Sequence, residues 1–169
     1  MISKTEYAPY FEQYIKLVSK DGKSILESLQ SSQEVFDQVL RNVPVEKHGF
    51  SYAAGKWTLK EVIQHIIDTE RIFCYRALCF ARNDKTVLPG YDQDVFVEND
   101  TANARDYYEL LEEMAVLRKS TIQLYRSFSE EALARVGSAS NSEMSVSALG
   151  YLFSGHQIHH IHIVKERYL

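Results

Sequence analysis

Four of the six histidines in this chain lie in one short stretch, Gly155-His156-Gln157-Ile158-His159-His160-Ile161-His162. His156 and His160 are four residues apart, and on a helix such residues stack on one face. Two neutral imidazoles held that way can take neighbouring positions around a transition-metal ion. Ile158, Ile161, Ile163 and Val164 run through the same stretch at helical spacing, so it reads as a helix with a packed face. A catalytic site of the zinc type takes three protein ligands and keeps one position for water or substrate. His65 meets the need for a third ligand: it lies seven residues past Thr58, flanked by Ile63, Ile66 and Ile67. The set read from spacing is His65, His156 and His160.

His159 is the rival to His160, because a spacing of three from His156 is also usable. The two fall on opposite sides of His156 on the helical wheel, so only one of them faces the bundle axis. His162 falls far round the helix and is expected either at the surface or supporting a ligand from behind, and His48 sits in a loop with no evident partner. Asp68, one turn after His65, can accept an imidazole N–H; otherwise it is a solvated carboxylate. Two other metal chemistries fail on spacing. Di-iron bundles need Glu three residues before each ligand histidine, and those positions here are Val62, Phe153 and Gln157. The zincin pattern needs Glu directly after its first histidine, where this chain has Gln157, which cannot take a proton. What remains is a mononuclear three-histidine site with no base on its own helix.

Helices must position these residues. The three prolines, Pro9, Pro44 and Pro89, fall between periodic segments. A short helical segment is expected over 9–18 and a first long helix over 21–40, with Ile25, Leu29, Phe36, Val39 and Leu40 on its apolar face. Thr58 and Glu61 form a capping box for a second helix reaching about residue 82, with Trp57 and Val62 as its hydrophobic staple. A long loop follows over 83–102, and such a loop inside a compact domain is more often functional or a site cover than a passive connector. A third helix is expected over 103–128, then a further turn or two behind Ser129. A polar loop spans 137–142, and Ser145 caps a last helix, with Met144 and Leu149 as its staple, to about residue 167. No strand alternation, repeat or low-complexity tract is visible. The expectation is an all-α four-helix bundle forming a single domain over 1–169.

Composition narrows the function. Of 169 residues, 45% are hydrophobic and 25% charged, ordinary for a soluble globular protein. A net charge of -4 without a Lys/Arg cluster argues against nucleic acid as partner. Cys74 and Cys79 form no CxxC pair and read as reduced core thiols. With no apolar run behind Lys4 and none long enough for a bilayer, a cytoplasmic protein with no membrane partner is expected.

The stretch 52–71, holding Trp57, Thr58, His65, Asp68, Glu70 and Arg71, resembles the DinB superfamily, in particular its branch related to YfiT. So do Leu88-Pro89-Gly90-Tyr91-Asp92 and Gly155-His156-Gln157-Ile158-His159-His160, and the likeness spans nearly the whole chain. The resemblance implies an up-down-down-up bundle, a divalent metal (commonly zinc or nickel) on His65, His156 and His160, and a homodimer. It also implies one of several activities, since similar members include thiol-dependent S-transferases, isomerases and metal-dependent hydrolases. Gln157 and Ile158 depart from the acidic residue relatives can carry there. The leading expectation is thus a metal-dependent transferase or hydrolase acting on a small molecule, with a low-molecular-weight thiol such as bacillithiol, or water, as nucleophile. Arg76 and Tyr91 are candidate substrate contacts by location. The alternative is a non-catalytic metal-binding bundle serving as a dimeric interaction module, in which a fourth protein ligand closes the site. A bundle without metal follows if the three histidines do not converge.

Overall fold

Each long helix starts where a side chain can satisfy the first free backbone N–H groups. In a computed structural model that describes residues 2–20 and 22–169, Ser24 caps α2 (Ile25–Leu40) and Thr58 caps α3 (Leu59–Ala81), both as capping boxes closed by Glu27 and Glu61. Asp106 caps α5 (Tyr107–Arg126) and Ser145 caps α7 (Val146–Arg167). A short α1 (Glu12–Ile15) precedes them, α4 (Gln93–Glu98) interrupts the long connection, and α6 (Glu130–Ala134) follows α5. The expected start of the first long helix, Asp21, lies outside the described residues. The third helix begins later than expected because Asp106 accepts from the backbone N–H groups of Tyr108 and Glu109, a stronger start than any side chain at 103 makes.

Two buried clusters divide the core and fix the direction of every helix. One gathers Leu29, Phe73, Phe80, Tyr125, Leu149 and Phe153. The other gathers Phe36, Leu40, Ile63, Leu110, Met114, Ile161 and Val164. Helix α2 therefore runs from the first cluster to the second, α3 and α5 both run back, and α7 returns. That is the up-down-down-up arrangement. Its parallel pair, α3 and α5, requires a long crossover, which residues 82–106 supply. Among the described residues no helix is long and apolar enough to cross a membrane.

The polar loop expected over 137–142 is instead the tip of a β-hairpin, with strand residues on both sides of a turn at 140–141, so the expectation of no strands is corrected. Strands β1 (Val136–Ala139) and β2 (Ser142–Ser145) pair antiparallel through a two-residue turn. Ser140 and Asn141 take φ of 52° and 58° there, the left-handed pair that tight hairpins need. The hairpin holds the crossover: the Leu88 N–H donates to the Ser138 carbonyl at 3.0 Å, and the Ser140 N–H donates to the Leu88 carbonyl at 3.2 Å. Gly137 lets it lie against α3, since a Cβ there would fall 1.9 Å from the Phe80 ring. Gly155 serves α7 in the same way, because a Cβ would come within 2.2 Å of the Tyr14 carbonyl. The N-terminal segment thus rides directly beside His156. His48 is also corrected: it is buried, its ring stacks on Tyr107 at 3.6 Å, and its Nε2 lies 3.1 Å from the Val43 carbonyl.

Candidate metal centre

Helices α3 and α7 are antiparallel, so the first third of one faces the middle of the other, and three imidazoles meet there. His156 Nε2 lies 3.1 Å from His65 Nε2 and 3.1 Å from His160 Nε2. The three ligand atoms all fall within 4.8 Å of one another. A neutral imidazole nitrogen carries either one hydrogen or one lone pair, so His156 Nε2 cannot make two good hydrogen bonds at once. A cation between the three lone pairs satisfies all of them. Nitrogens about 2.0–2.1 Å from a tetrahedral ion stand roughly 3.3 Å apart, close to the two 3.1 Å separations made by His156.

The surroundings keep the rings neutral. His65 is 3% exposed, beneath the Trp57 ring at 5.0 Å. Burial pushes it down from 6.5 to about 4. His156 and His160 lie well below the ordinary histidine value, through burial first and then the neighbouring imidazoles. All three are free to ligate at neutral pH, as a metal requires. The same burial sets an acid response in the metal-free protein. Between pH 6.5 and about 4 the unfolded chain binds more protons at His65 than the folded chain does. Stability is therefore full above pH 6.5 and falls as pH drops through about 4, by about 3 kcal/mol from His65 alone. Urea midpoints measured across this window should fall with acid, and the fall should shrink in His65→Phe.

The structure places the other sequence candidates elsewhere. His159 lies against the Tyr14 ring at 5.0 Å and stands apart from the cluster, and His162 is exposed. Asp68 accepts from Gln64 Nε2 at 2.9 Å and pairs with Arg71 at 3.6 Å, with no hydrogen bond to a histidine. Its carboxylate is turned instead to Gln64, one turn back along the helix, and to Arg71. Arg76 donates to the Pro89 carbonyl at 3.1 Å and Ser140 Oγ at 2.9 Å, holding the crossover in place. The Tyr91 hydroxyl lies 2.6 Å from Thr69 Oγ1, one turn beyond His65.

No fourth His, Cys, Asp or Glu joins the trio among the described residues. His160 instead opens onto a cleft of about 940 Å³. Its lining includes Tyr52, Trp57 and Tyr168, together with Asp94, Val97, Glu98, Asp100 and Thr101 of the crossover. Residues of the long loop thus line the cleft. Sequence reasoning missed its acidic residues as lining, and missed Tyr14, whose ring stands 6.0 Å from His156. No spacing signal links that isolated N-terminal turn to α7.

A family model for the DinB superfamily matches residues 28–164. None of the curated proteins matches the chain in sequence. Among solved structures, YfiT from Bacillus subtilis, described as a probable metal-dependent hydrolase with an unusual four-helix bundle topology, is similar at a TM-score of 0.72 and 18% identity. The likeness covers 98% of this chain and 87% of that one. A mycothiol-dependent maleylpyruvate isomerase is similar at a TM-score of 0.67 and 14% identity, over 85% of this chain and 59% of the other. At these identities the likenesses establish the shared fold.

Proposed function

The chain belongs to the DinB superfamily, and from that premise we propose that it is a mononuclear metal-dependent enzyme, a thiol-dependent S-transferase or a hydrolase acting on a small molecule. The observation that carries this reading is the convergence of three imidazoles, His65 buried and His156 and His160 half-buried, with no fourth protein ligand among the described residues and with a cleft against His160. A purely structural ion would call for a fourth donor from the chain. The donor set fits a divalent ion, with zinc or nickel the proposed occupant, since imidazole suits both. Bound there, the ion would lower the pKa of a thiol or water so that a nucleophile exists near neutral pH.

The chain's own residues supply the rest. His65, His156 and His160 would hold the ion, and their burial keeps competing protons off them. Trp57 packs over His65 and lines the cleft. Gln157 is fully buried and donates to Gln33 at 3.2 Å, so it neither binds the ion nor moves a proton. The thiol and the electrophile would both have to enter beside His160. A homodimer is the proposed assembly, testable by light scattering.

The test is turnover by the full-length protein loaded with zinc or nickel. It would be offered a small thiol with a chlorodinitroaryl electrophile, and separately an activated ester. Product from the loaded protein, and none from chelated protein or His65→Ala, is the expected result. A loaded protein that turns over neither substrate class sinks the enzymatic reading.

A further inference from the structure

A metal-bound histidine usually donates its second ring N–H to a carboxylate or carbonyl, and that bond fixes the ring. Among the described residues the His65 ring has no hydrogen-bond partner except His156. Packing must orient it instead. Besides the two other ligands, the aromatic ring against it is that of Trp57, 5.0 Å away at an interplanar angle of 47°. Trp57 stands on the 50–58 turn, which is closed on itself. The Leu59 N–H donates to the Phe50 carbonyl at 3.0 Å, and Ser51 Oγ lies 2.8 and 2.7 Å from the Ala53 and Lys56 carbonyls. At Trp57 this turn is tied to the end of α7. Tyr168, 2% exposed, donates from its hydroxyl to the Trp57 carbonyl at 2.7 Å. Burial first, then Tyr52 and Glu61 nearby, push that phenol up to about 12, so it stays a donor at physiological pH. Tyr168 is itself held in place. Its N–H donates to the Val164 carbonyl at 2.9 Å, Lys47 Nζ donates to its carbonyl at 2.9 Å, and the rings of Tyr52 and Phe50 meet it edge-on at 5.2 and 6.2 Å.

We propose that Tyr168 is a positioning residue for the metal centre: its hydroxyl holds Trp57 against His65, and through Trp57 it fixes the direction in which His65 offers its ligating nitrogen. Helix α7 then supplies two ligands and, about two turns past His160, the group that aims the third. The consequence for metal rests on the metalloenzyme reading, whereas the hold of Tyr168 on Trp57 does not.

Tyr168→Phe keeps the ring and its edge contacts and removes only the hydroxyl. Full-length wild type and variants would be compared by acrylamide quenching of Trp57, the only tryptophan in the chain, in metal-free protein. Zinc affinity would be read by chelator competition, and ligand geometry by the visible absorption of cobalt-loaded protein. Tyr168→Phe should raise the quenching, shift the cobalt bands and weaken zinc binding about tenfold, the low end of what losing a group that orients a ligand costs. Trp57→Ala should weaken zinc binding at least as much. Adding Tyr168→Phe to it should cost nothing further, because the hydroxyl acts only through the indole. Tyr125→Phe is the control for stability alone. It removes a buried hydroxyl from the Val146 carbonyl in the other apolar cluster, so the melting temperature should fall while zinc affinity stays that of wild type. Zinc bound as tightly by Tyr168→Phe as by wild type overturns the positioning role and leaves the enzymatic reading intact. So does a further loss on adding Tyr168→Phe to Trp57→Ala, or an equal loss in Tyr125→Phe. Wild type that takes up no zinc removes the metalloenzyme reading. Raised quenching in metal-free Tyr168→Phe would then still establish the hold on Trp57, and unchanged quenching would remove that as well.

Discussion

His156→Ala is expected to lose metal completely on purification, where the wild type retains about one ion per chain. Its Nε2 is the common neighbour of the other two, 3.1 Å from each. Without it, one imidazole remains on each of two helices, a two-donor set too weak to hold an ion against water. Loss of a partner merely hydrogen-bonded to a ligand lowers metal affinity about 10- to 100-fold, so removal of the ligand itself should exceed about 100-fold. His65→Ala and His160→Ala should each fail as well, since either leaves two donors. His159→Ala is the control: its ring packs on Tyr14, so metal retention should be unchanged. Mass spectrometry of untagged protein reads the stoichiometry. Added zinc should raise the melting temperature of wild type and His159→Ala but not of the three ligand variants, because only a folded site binds the ion. Retention by His156→Ala together with loss in His159→Ala would overturn the ligand set.

Much of this site is legible before any fold is known, because the signals are local. The i, i+4 pair, the Thr58–Glu61 box and the Ser145 cap are each contained within one turn of helix. Helical phase says that only one of His159 and His160 faces the bundle axis, and it is the convergence with His65 that picks His160. Four features depend on contacts remote in sequence and leave no such trace. The hairpin has only four residues per strand, with Gly137, Ser138 and Ser142 where β-branched residues would signal strands, and it exists because Leu88 pairs with it. His48 finds Tyr107 across the bundle. The acidic lining is spread along the crossover and becomes a field only when α4 lies beside α3. Glu70 and Arg118 give no pattern at all, being 48 residues apart.

That last pair supports the other large prediction: Glu70→Ala should destabilise the fold by about 3–5 kcal/mol. Arg118 is 1% exposed and Glu70 3%. Arg118 donates to both carboxylate oxygens, at 2.9 and 2.7 Å, and its Nη1 donates to the Leu29 carbonyl at 2.8 Å and Ser32 Oγ at 2.6 Å. Thr121 donates to Glu70 at 2.7 Å. Removing the carboxylate leaves a buried guanidinium without its counter-ion, and that desolvated charge, rather than a lost contact, is what destabilises. Arg118→Met leaves the mirror problem, an unpaired buried carboxylate, at Glu70. The double variant Glu70→Leu/Arg118→Met removes both charges, so it should fall well short of the two single losses added together, with a coupling of about 2 kcal/mol or more by urea denaturation. The pair joins the parallel helices α3 and α5 and reaches α2, between the two apolar clusters. Apolar contacts alone tolerate sliding of one helix along another, whereas a two-pronged guanidinium–carboxylate pair permits one register. The double variant should accordingly remain folded yet hold zinc less tightly than wild type, because the register of α3 sets where His65 meets His156. Additive losses, or unchanged zinc affinity in the double variant, would show that packing alone fixes that register.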